Sequence, residues 1–306
     1  MSIRYFTTAI SFLAVMSVGA ANATDIPSVV AALNERAVPP VSGGLMEDGA
    51  PFVPGNKLAA WTVGRSALDG GCSIDVAVLG SPSIDAQLDD VVTNLSGDPR
   101  IASATAVLIN AVTPTLVELN AFDAVLVLIN SYPQDTVVLG DNLADYVDSG
   151  GGVVLALFAL RASTPTIMGR FMSSDYYCIE QSSGNRLMGH ATLGTVHVPE
   201  SPLMTGVTTF DGGDRSFRSP APPHALATRI ADWSTGEVLI AERTDLSGGR
   251  VDLGMFPVSE LQAAGGWLTN TDGAIILRNA VVRASGCEDA SPVEPTTWGA
   301  IKAQLR

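Results

Sequence analysis

Short apolar runs separated by amphipathic segments dominate the chain between residues 75 and 160. Three of these runs, at residues 75–80, 124–130 and 152–160, are almost uninterrupted, and residues 103–110 form a fourth. Short runs rich in valine and leucine are typical of strands that are buried on both faces. Because helical segments separate them, the pattern predicts a parallel α/β sheet with right-handed crossovers.

The segments between these strands carry helix signals. Ser83 is the expected N-cap of a helix that continues to Leu95 with its apolar residues on one stripe. Thr113 is the expected cap of a short helix that ends at Leu119, and residues 137–147 are expected to form a third helix. Strand and helix should therefore alternate throughout this part of the chain.

In the second half of the chain the apolar runs become shorter and polar turns separate them. Strands are predicted at residues 191–198, 227–232, 237–243 and 250–256. The turns between the last three strands are typical of antiparallel hairpins. A final helix is predicted at residues 274–284, where an apolar stripe should pack on the sheet.

The first 23 residues have the three parts of a secretory signal. Arg4 provides a positive charge, residues 9–20 are apolar, and Ala21-Asn22-Ala23 is a small-x-small cleavage site. The apolar part is short for a membrane span, although an uncleaved anchor is the alternative. We therefore expect an exported protein, periplasmic or extracellular, that has no stable membrane span after cleavage.

The expected organisation of the chain has four parts. Residues 1–23 form the signal, 24–72 an N-terminal extension, 73–286 the α/β domain and 287–306 a C-terminal tail. The formal net charge is −14, and no basic cluster interrupts this acidic character. Such a surface repels phosphate backbones, so nucleic-acid binding is not expected.

Three cysteines are present: Cys72, Cys178 and Cys287. In an oxidising compartment, one disulfide and one remaining thiol is the simplest arrangement. Cys72 precedes the first core strand and Cys287 follows the last helix, which favours that pair, although the other pairings remain open. None of the cysteines has metal-ligand spacing, so no zinc site is expected.

Several segments together resemble the class I glutamine-amidotransferase-like superfamily, particularly its trehalose-utilisation-like branch. They are residues 75–79, 142–154, 201–207, 249–257 and 272–281. The resemblance covers about residues 73–286. It implies a doubly wound, mainly parallel, flavodoxin-like sheet with an appended antiparallel β region. Members of the superfamily include amidotransferases and proteins linked to sugar use.

The catalytic cysteine of that superfamily has no counterpart in this sequence. Active amidotransferases place it in a sharp turn after the strand that residues 152–160 resemble, where a thiolate can be stabilised. Residues 158–165 contain neither a cysteine nor a Gly-x-Cys-x-Gly turn, and Cys178 lies too far along the chain. Ser163 is a candidate substitute, with an N-cap or loop serine as the alternative. We assign no catalytic residue and expect no glutaminase activity.

The histidines and acidic turns predict neither a metal site nor a cofactor. His197 and Glu200 are spaced somewhat like a catalytic pair, but a histidine at a strand end is the better interpretation. His190 and His224 are interpreted as loop residues. The turn from Asp211 to Asp214 lacks the further oxygen ligands of a calcium loop. The first strand is followed by no dinucleotide-binding glycine pattern.

The position of a ligand site follows from the expected topology. In a doubly wound sheet, ligands bind outside the carboxyl ends of the strands where the strand order reverses, here between the first and third strands. The alternative is that the residues at this edge are turn residues without a ligand. The candidate ligand-binding residues are Gly80, Ser81, Asn130, Ser131, Tyr132 and the nearby Arg161.

Three functional hypotheses follow. The first is an exported, non-glutaminase, amidotransferase-like protein that binds a small polar ligand, such as a carbohydrate, at this edge. The second is a hydrolase that uses Ser163 or an unrecognised acid–base pair. The third is a surface interaction module, in which residues 291–306 act as a docking or sorting segment rather than a frayed end.

Overall fold

A computed structural model describes residues 72–163, 166–182 and 186–287. The expected signal, almost all of the N-terminal extension and the tail beyond Cys287 lie outside these residues. None of the helices in the described ranges has both the length and the apolar character needed to cross a membrane.

The described strands form one mixed sheet of eight strands. Its order is β2-β1-β3-β4-β8-β7-β6-β5. The five strands from β2 to β8 are parallel, and β7, β6 and β5 continue the sheet in antiparallel pairing. This order confirms the predicted α/β fold with an appended antiparallel region. The strands are β1 (Ile74–Ser81), β2 (Ile101–Leu108), β3 (Ala124–Ile129), β4 (Gly152–Ala156), β5 (Leu193–Val196), β6 (Thr228–Trp233), β7 (Val238–Arg243) and β8 (Arg250–Leu253).

Helices cover both faces of the parallel part of the sheet. Leu88 on α1 and Leu277 on α5 belong to one buried cluster, whereas Leu143 on α3 belongs to the other. Successive residues of β1 alternate between them, with Val78 in the first and Leu79 in the second. The helices are α1 (Ala86–Ser96), α2 (Leu116–Leu119), α3 (Thr136–Asp148), α4 (Gly169–Ser173) and α5 (Gly273–Ala284).

Both predicted helix caps were wrong by two residues. Asp85, rather than Ser83, occupies the N-cap position of α1, and the Ser83 amide instead donates to the Gln87 side chain at 3.1 Å. Thr115, rather than Thr113, caps α2 through a reciprocal capping box with Glu118. The Thr-x-x-Glu spacing at residues 115–118 satisfies two backbone donors at once, which explains why α2 begins there.

The fourth predicted strand was too long. β4 ends at Ala156, and a 3₁₀ turn, Leu157–Leu160, follows it. All four residues of that turn are buried. A continuous apolar run shows that a segment is buried but does not distinguish a strand from a buried turn.

A fully buried ion pair joins β8 to the segment that precedes the antiparallel strands. Arg250 Nη2 lies 2.6 Å from Asp252 Oδ1, and neither side chain is exposed to solvent. Arg250 also donates to the carbonyls of Tyr176 and Val153. Asp252 Oδ2 accepts the amides of Cys178 at 2.6 Å and of Ile179 at 2.9 Å. These bonds give both charges the partners that burial requires.

The two ends of the described chain meet at a cysteine pair. Cys72 and Cys287 are joined as a disulfide, and their Cα atoms are 5.7 Å apart. This separation suits a disulfide, and the pair links the start of β1 to the end of α5. Cys178 is the one free thiol of the described residues and is buried.

We predict that Asp252→Asn lowers the free energy of unfolding by about 3–5 kcal/mol, because it leaves the Arg250 charge buried without a counter-charge. Urea denaturation measures the change. Asp145→Asn is the matched control, since its side chain is 52% exposed beside Arg170, and it should cost less than about 1 kcal/mol. Equal effects of the two variants would contradict the structural role of the buried pair.

Candidate functional site

The reversal of strand order lies between β1 and β3, as the sequence predicts for a ligand crevice. Hydrogen bonds link the predicted residues at these strand ends to one another. The Ser131 amide donates to the Ser81 carbonyl at 2.7 Å, and the Ser81 hydroxyl donates to the Ser131 carbonyl at 2.8 Å. The Asn130 amide also donates to the Ser81 carbonyl. Ser81 is completely buried, so its carbonyl and hydroxyl form hydrogen bonds between the ends of β1 and β3 rather than with solvent.

Helix α1 closes over the same strand ends. A Cβ atom on Gly80 would lie 2.5 Å from Leu88 Cδ2, so only glycine permits this approach. The Asn130 side-chain amide donates to Gln87 Oε1 at 3.3 Å. Tyr132, in contrast, is 62% exposed. Many of the hydrogen-bonding groups at the reversal of strand order are therefore bonded to other groups of the protein. Ligand binding by these five residues stays a prediction.

The turn after β4 contains no nucleophile. It reads Leu-Phe-Ala-Leu, its Leu157 amide donates to the Met255 carbonyl at 3.1 Å, and Phe158 is only 5% exposed. Ser163 is exposed beyond this turn, and within the described part of the chain no hydrogen bond joins it to a histidine. Among the described residues, Ser163 thus has no histidine to act as its base.

Each of the three histidines is paired with an aspartate. His197 directly follows β5, as a strand-end histidine should, and its Nε2 lies 2.7 Å from Asp232. Among the residues that the structure describes, no three metal-ligating side chains form a group that could hold an ion. The other two pairs are His224 with Asp175 at 2.6 Å and His190 with Asp211 at 3.0 Å.

Cys178 is not an activated thiol. It is completely buried, and burial raises its pKa well above the ordinary value, as does the nearby Asp252 carboxylate. A thiol in such surroundings stays protonated and unreactive at neutral pH.

Arg161, the remaining predicted residue, lies in a separate open depression at the end of β4, which we call the arginine depression. None of the other five predicted residues lines it. The residues of this depression that bear on its chemistry are Phe158, Arg161, Ser182, Arg186, Arg218 and Ser219.

Two guanidinium groups lie over the aromatic floor of the arginine depression. Arg161 Cζ is 4.6 Å and Arg186 Cζ is 5.7 Å from the centre of the Phe158 ring. Arg186 also lies 5.0 Å from the centre of the Phe217 ring. Burial lowers the pKa of Arg161, and the positive charge of Arg186 lowers it further. The site therefore concentrates positive charge in an acidic protein.

Arg218 differs from these two arginines because its charge is compensated. It is buried, and its Nη1 donates to the carbonyls of Gly189 at 2.6 Å and Ser216 at 3.0 Å. Its Nε lies 3.2 Å from Glu237 Oε2, close enough for an ion pair although the atoms are not aligned for a hydrogen bond. Arg218 thus supports the wall of the depression.

The sequence analysis identified Arg161 but not Arg186, nor the Phe158 and Phe217 rings that the two arginines contact. Phe158 belongs to a run that was assigned to a strand, and no motif surrounds Arg186. One feature of the sequence could have drawn attention to Arg186. Basic residues are scarce, 17 against 31 acidic ones, so each arginine is a candidate for a specific role.

Solved structures with the same fold include two ThuA-like proteins. The one from Bacteroides uniformis has a TM-score of 0.53 and 13% identity, covering 74% of this chain and 96% of that chain. The one from Parabacteroides merdae has a TM-score of 0.51 and 11% identity, covering 73% and 93%. A cytoplasmic protein from Salmonella typhimurium has a TM-score of 0.53 and 12% identity, covering 69% and 99%. No family model and no curated protein matches the sequence.

At these identities the likeness is one of fold. This chain has the α/β fold of the ThuA-like proteins, in agreement with the resemblance that its sequence segments showed.

We predict that the free energy of unfolding falls as the pH rises above about 9. The pKa of Cys178 is higher in the folded than in the unfolded protein, so stability present below the unfolded pKa of about 8.5 is lost as the pH increases. The slope from one such thiol reaches about 1.4 kcal/mol per pH unit. Burial also raises the pKa of Tyr176 to about 12, which extends the decline to higher pH.

The measurement is urea denaturation at several alkaline pH values. Cys178→Ala should be less stable at neutral pH because it leaves a cavity, but its decline between about pH 8.5 and 10 should be shallower. Parallel curves for the two proteins would contradict the assignment to Cys178.

Proposed function

We propose that this chain is an exported, non-glutaminase, amidotransferase-like protein that binds a small polar ligand at the carboxyl edge of its sheet. One observation carries the proposal. Immediately after β4, the buried apolar turn Leu157–Leu160 stands where an amidotransferase nucleophile is expected, and it leads directly to the half-buried charge of Arg161. This edge of the sheet has a charged group that can bind a ligand, and the turn has no nucleophile for acyl transfer.

The absence of glutaminase chemistry is supported by the environment of the thiols. A cysteine nucleophile needs a low pKa and access to substrate. Cys178 has neither, and Cys72 is paired with Cys287. The hydrolase hypothesis receives no comparable support, since Ser163 lacks a hydrogen-bonded histidine in the described ranges.

Ligand binding is supported by position and by charge. The carboxyl ends of parallel strands are where ligands bind in doubly wound sheets, and the arginine depression opens at the end of β4. The resemblance to proteins linked to sugar use suggests a carbohydrate or a derivative of one. The interaction-module hypothesis rests on residues 291–306, which lie outside the described residues.

Export is supported by the signal-like first 23 residues and by the cysteine pair. A disulfide between Cys72 and Cys287 is suited to an oxidising compartment.

We predict that the protein does not hydrolyse glutamine and that its melting temperature rises with at least one class of small polar compound. A thermal-shift panel of neutral sugars, sugar acids and sugar phosphates tests binding, since a ligand of the folded state stabilises it. Ligand at about 100 times its Kd should add about 2.7 kcal/mol. Glutaminase turnover that Cys178→Ala abolishes, or a panel without any shift, would refute the proposal.

We predict that the protein recovered from the periplasm of a Gram-negative host begins at Thr24 and contains one disulfide. The intact mass should correspond to residues 24–306 less two hydrogens, and thiol titration of the unfolded protein should find Cys178 alone. A Cys72→Ser variant is the control, because it should lose the bond and expose a second thiol. An uncleaved chain would instead favour the membrane-anchor alternative.

A further inference from the structure

We propose that the arginine depression binds an oxyanion, the carboxylate or phosphate group of a small ligand, between the guanidinium groups of Arg161 and Arg186. This inference rests on the proposed function and specifies the chemical class of its ligand.

The first argument is the placement of two like charges on one ring. Arg161 and Arg186 both lie within 6 Å of the centre of Phe158, with distances of 4.6 and 5.7 Å. Their mutual repulsion and the partial burial of Arg161 both raise the free energy of the empty site. An anion between the two groups offsets their repulsion and gives the partly buried Arg161 charge a partner.

The second argument is the lack of an internal counter-charge. Within the described residues, no carboxylate oxygen lies within 4.0 Å of either Arg161 or Arg186, although other arginines have such a partner. Arg218, in the same depression, pairs with Glu237. In a chain with 31 acidic and 17 basic residues, a carboxylate is readily available to neutralise an arginine. Two neighbouring arginines without one are therefore suited to an external anion.

The third argument is that backbone hydrogen bonds fix the chain at Arg161 and directly beside Arg186. The Arg161 carbonyl accepts hydrogen bonds from the Thr166 hydroxyl and the Gln181 amide, each at 3.0 Å. Leu187, next to Arg186, exchanges two backbone hydrogen bonds of 3.0 Å with Arg218. A backbone that is already fixed at these positions does not have to be ordered when a ligand binds, which reduces the conformational entropy lost.

The chemistry of the guanidinium group selects the ligand class. Its planar fork forms two parallel hydrogen bonds to a carboxylate or phosphate, and these charge-assisted bonds are stronger than bonds to neutral hydroxyls. Both groups lie within cation–π distance of the Phe158 ring, an interaction that uses none of their N–H donors. The Ser219 hydroxyl in the same lining can donate to the uncharged part of a sugar acid or sugar phosphate.

The test is isothermal titration calorimetry of the full chain at low ionic strength. The probes are inorganic phosphate, glucuronate, a hexose phosphate and glucose. We expect the three anions to bind more tightly than glucose, and added salt to weaken their binding. Arg161→Gln and Arg186→Gln should each raise the Kd for the anions about tenfold or more, because each removes charge-assisted hydrogen bonds.

Two further variants separate the geometry from the charge. Arg161→Lys keeps the positive charge but loses the fork, so its Kd should lie between those of the native protein and Arg161→Gln. Arg100→Gln makes the same change in net charge at the amino end of β2, on the opposite edge of the sheet, where Arg100 pairs with Asp98. It should leave the Kd unchanged.

The outcomes distinguish this inference from the proposed function. Binding of anions that is weakened by both glutamine variants but not by Arg100→Gln supports it. Binding of glucose alone, or anion binding that Arg161→Gln and Arg186→Gln leave intact, overturns the anion site while a polar-ligand function survives. Failure of every probe here and of the whole thermal-shift panel overturns both.

Discussion

The buried pair of Arg250 and Asp252 joins three parts of the fold that are far apart in sequence, through contacts that span 73 to 97 residues. It joins β8 to the start of β4 and to residues 176–179 through hydrogen bonds to two buried carbonyls and two buried amides. Such a pair contributes little net stability, but losing one partner is costly. The interaction therefore fixes where this segment lies on the sheet.

The placement of this segment determines the candidate site. Residues 176–179 lead directly to Gln181, which binds the Arg161 carbonyl, and to Ser182, whose amide donates to the Leu160 carbonyl. Arg161 is thus held between the end of β4 and a segment anchored through Asp252. A short chain of contacts connects the buried pair to the proposed anion site.

The end of β4 combines an apolar turn with the arginine depression. A cysteine at a sharp turn would make this edge an acyl-transfer site. Here Phe158 and its apolar neighbours turn inward, and Phe158 packs at 5.2 Å from Phe256 and 5.5 Å from Phe217. The same aromatic cluster supports the two guanidinium groups. The apolar turn and the charged depression therefore occur at one place in the fold.

Local sequence signals predicted the elements well and their ends less well. The buried strands β1 and β3 lie within a residue of their predicted bounds, because continuous apolar runs reflect burial on both faces. The edge strand β2 was predicted two residues late, since much of it is solvent-accessible and its apolar signal is weak. Thr113 failed as a cap because Thr115 forms a capping box with Glu118, whereas α1 begins after Asp85 without a side-chain cap.

The amino-acid sequence was sufficient for the α/β order, the antiparallel extension and the absence of a cysteine after β4, because these depend on local periodicity and residue identity. Only the tertiary structure placed Arg186 beside Arg161, with no carboxylate of residues 72–163, 166–182 or 186–287 paired to either. Those facts depend on contacts between residues distant along the chain, such as Phe158 with Phe217 and Arg218 with Glu237. No local pattern specifies such contacts, because packing of the whole sheet decides them.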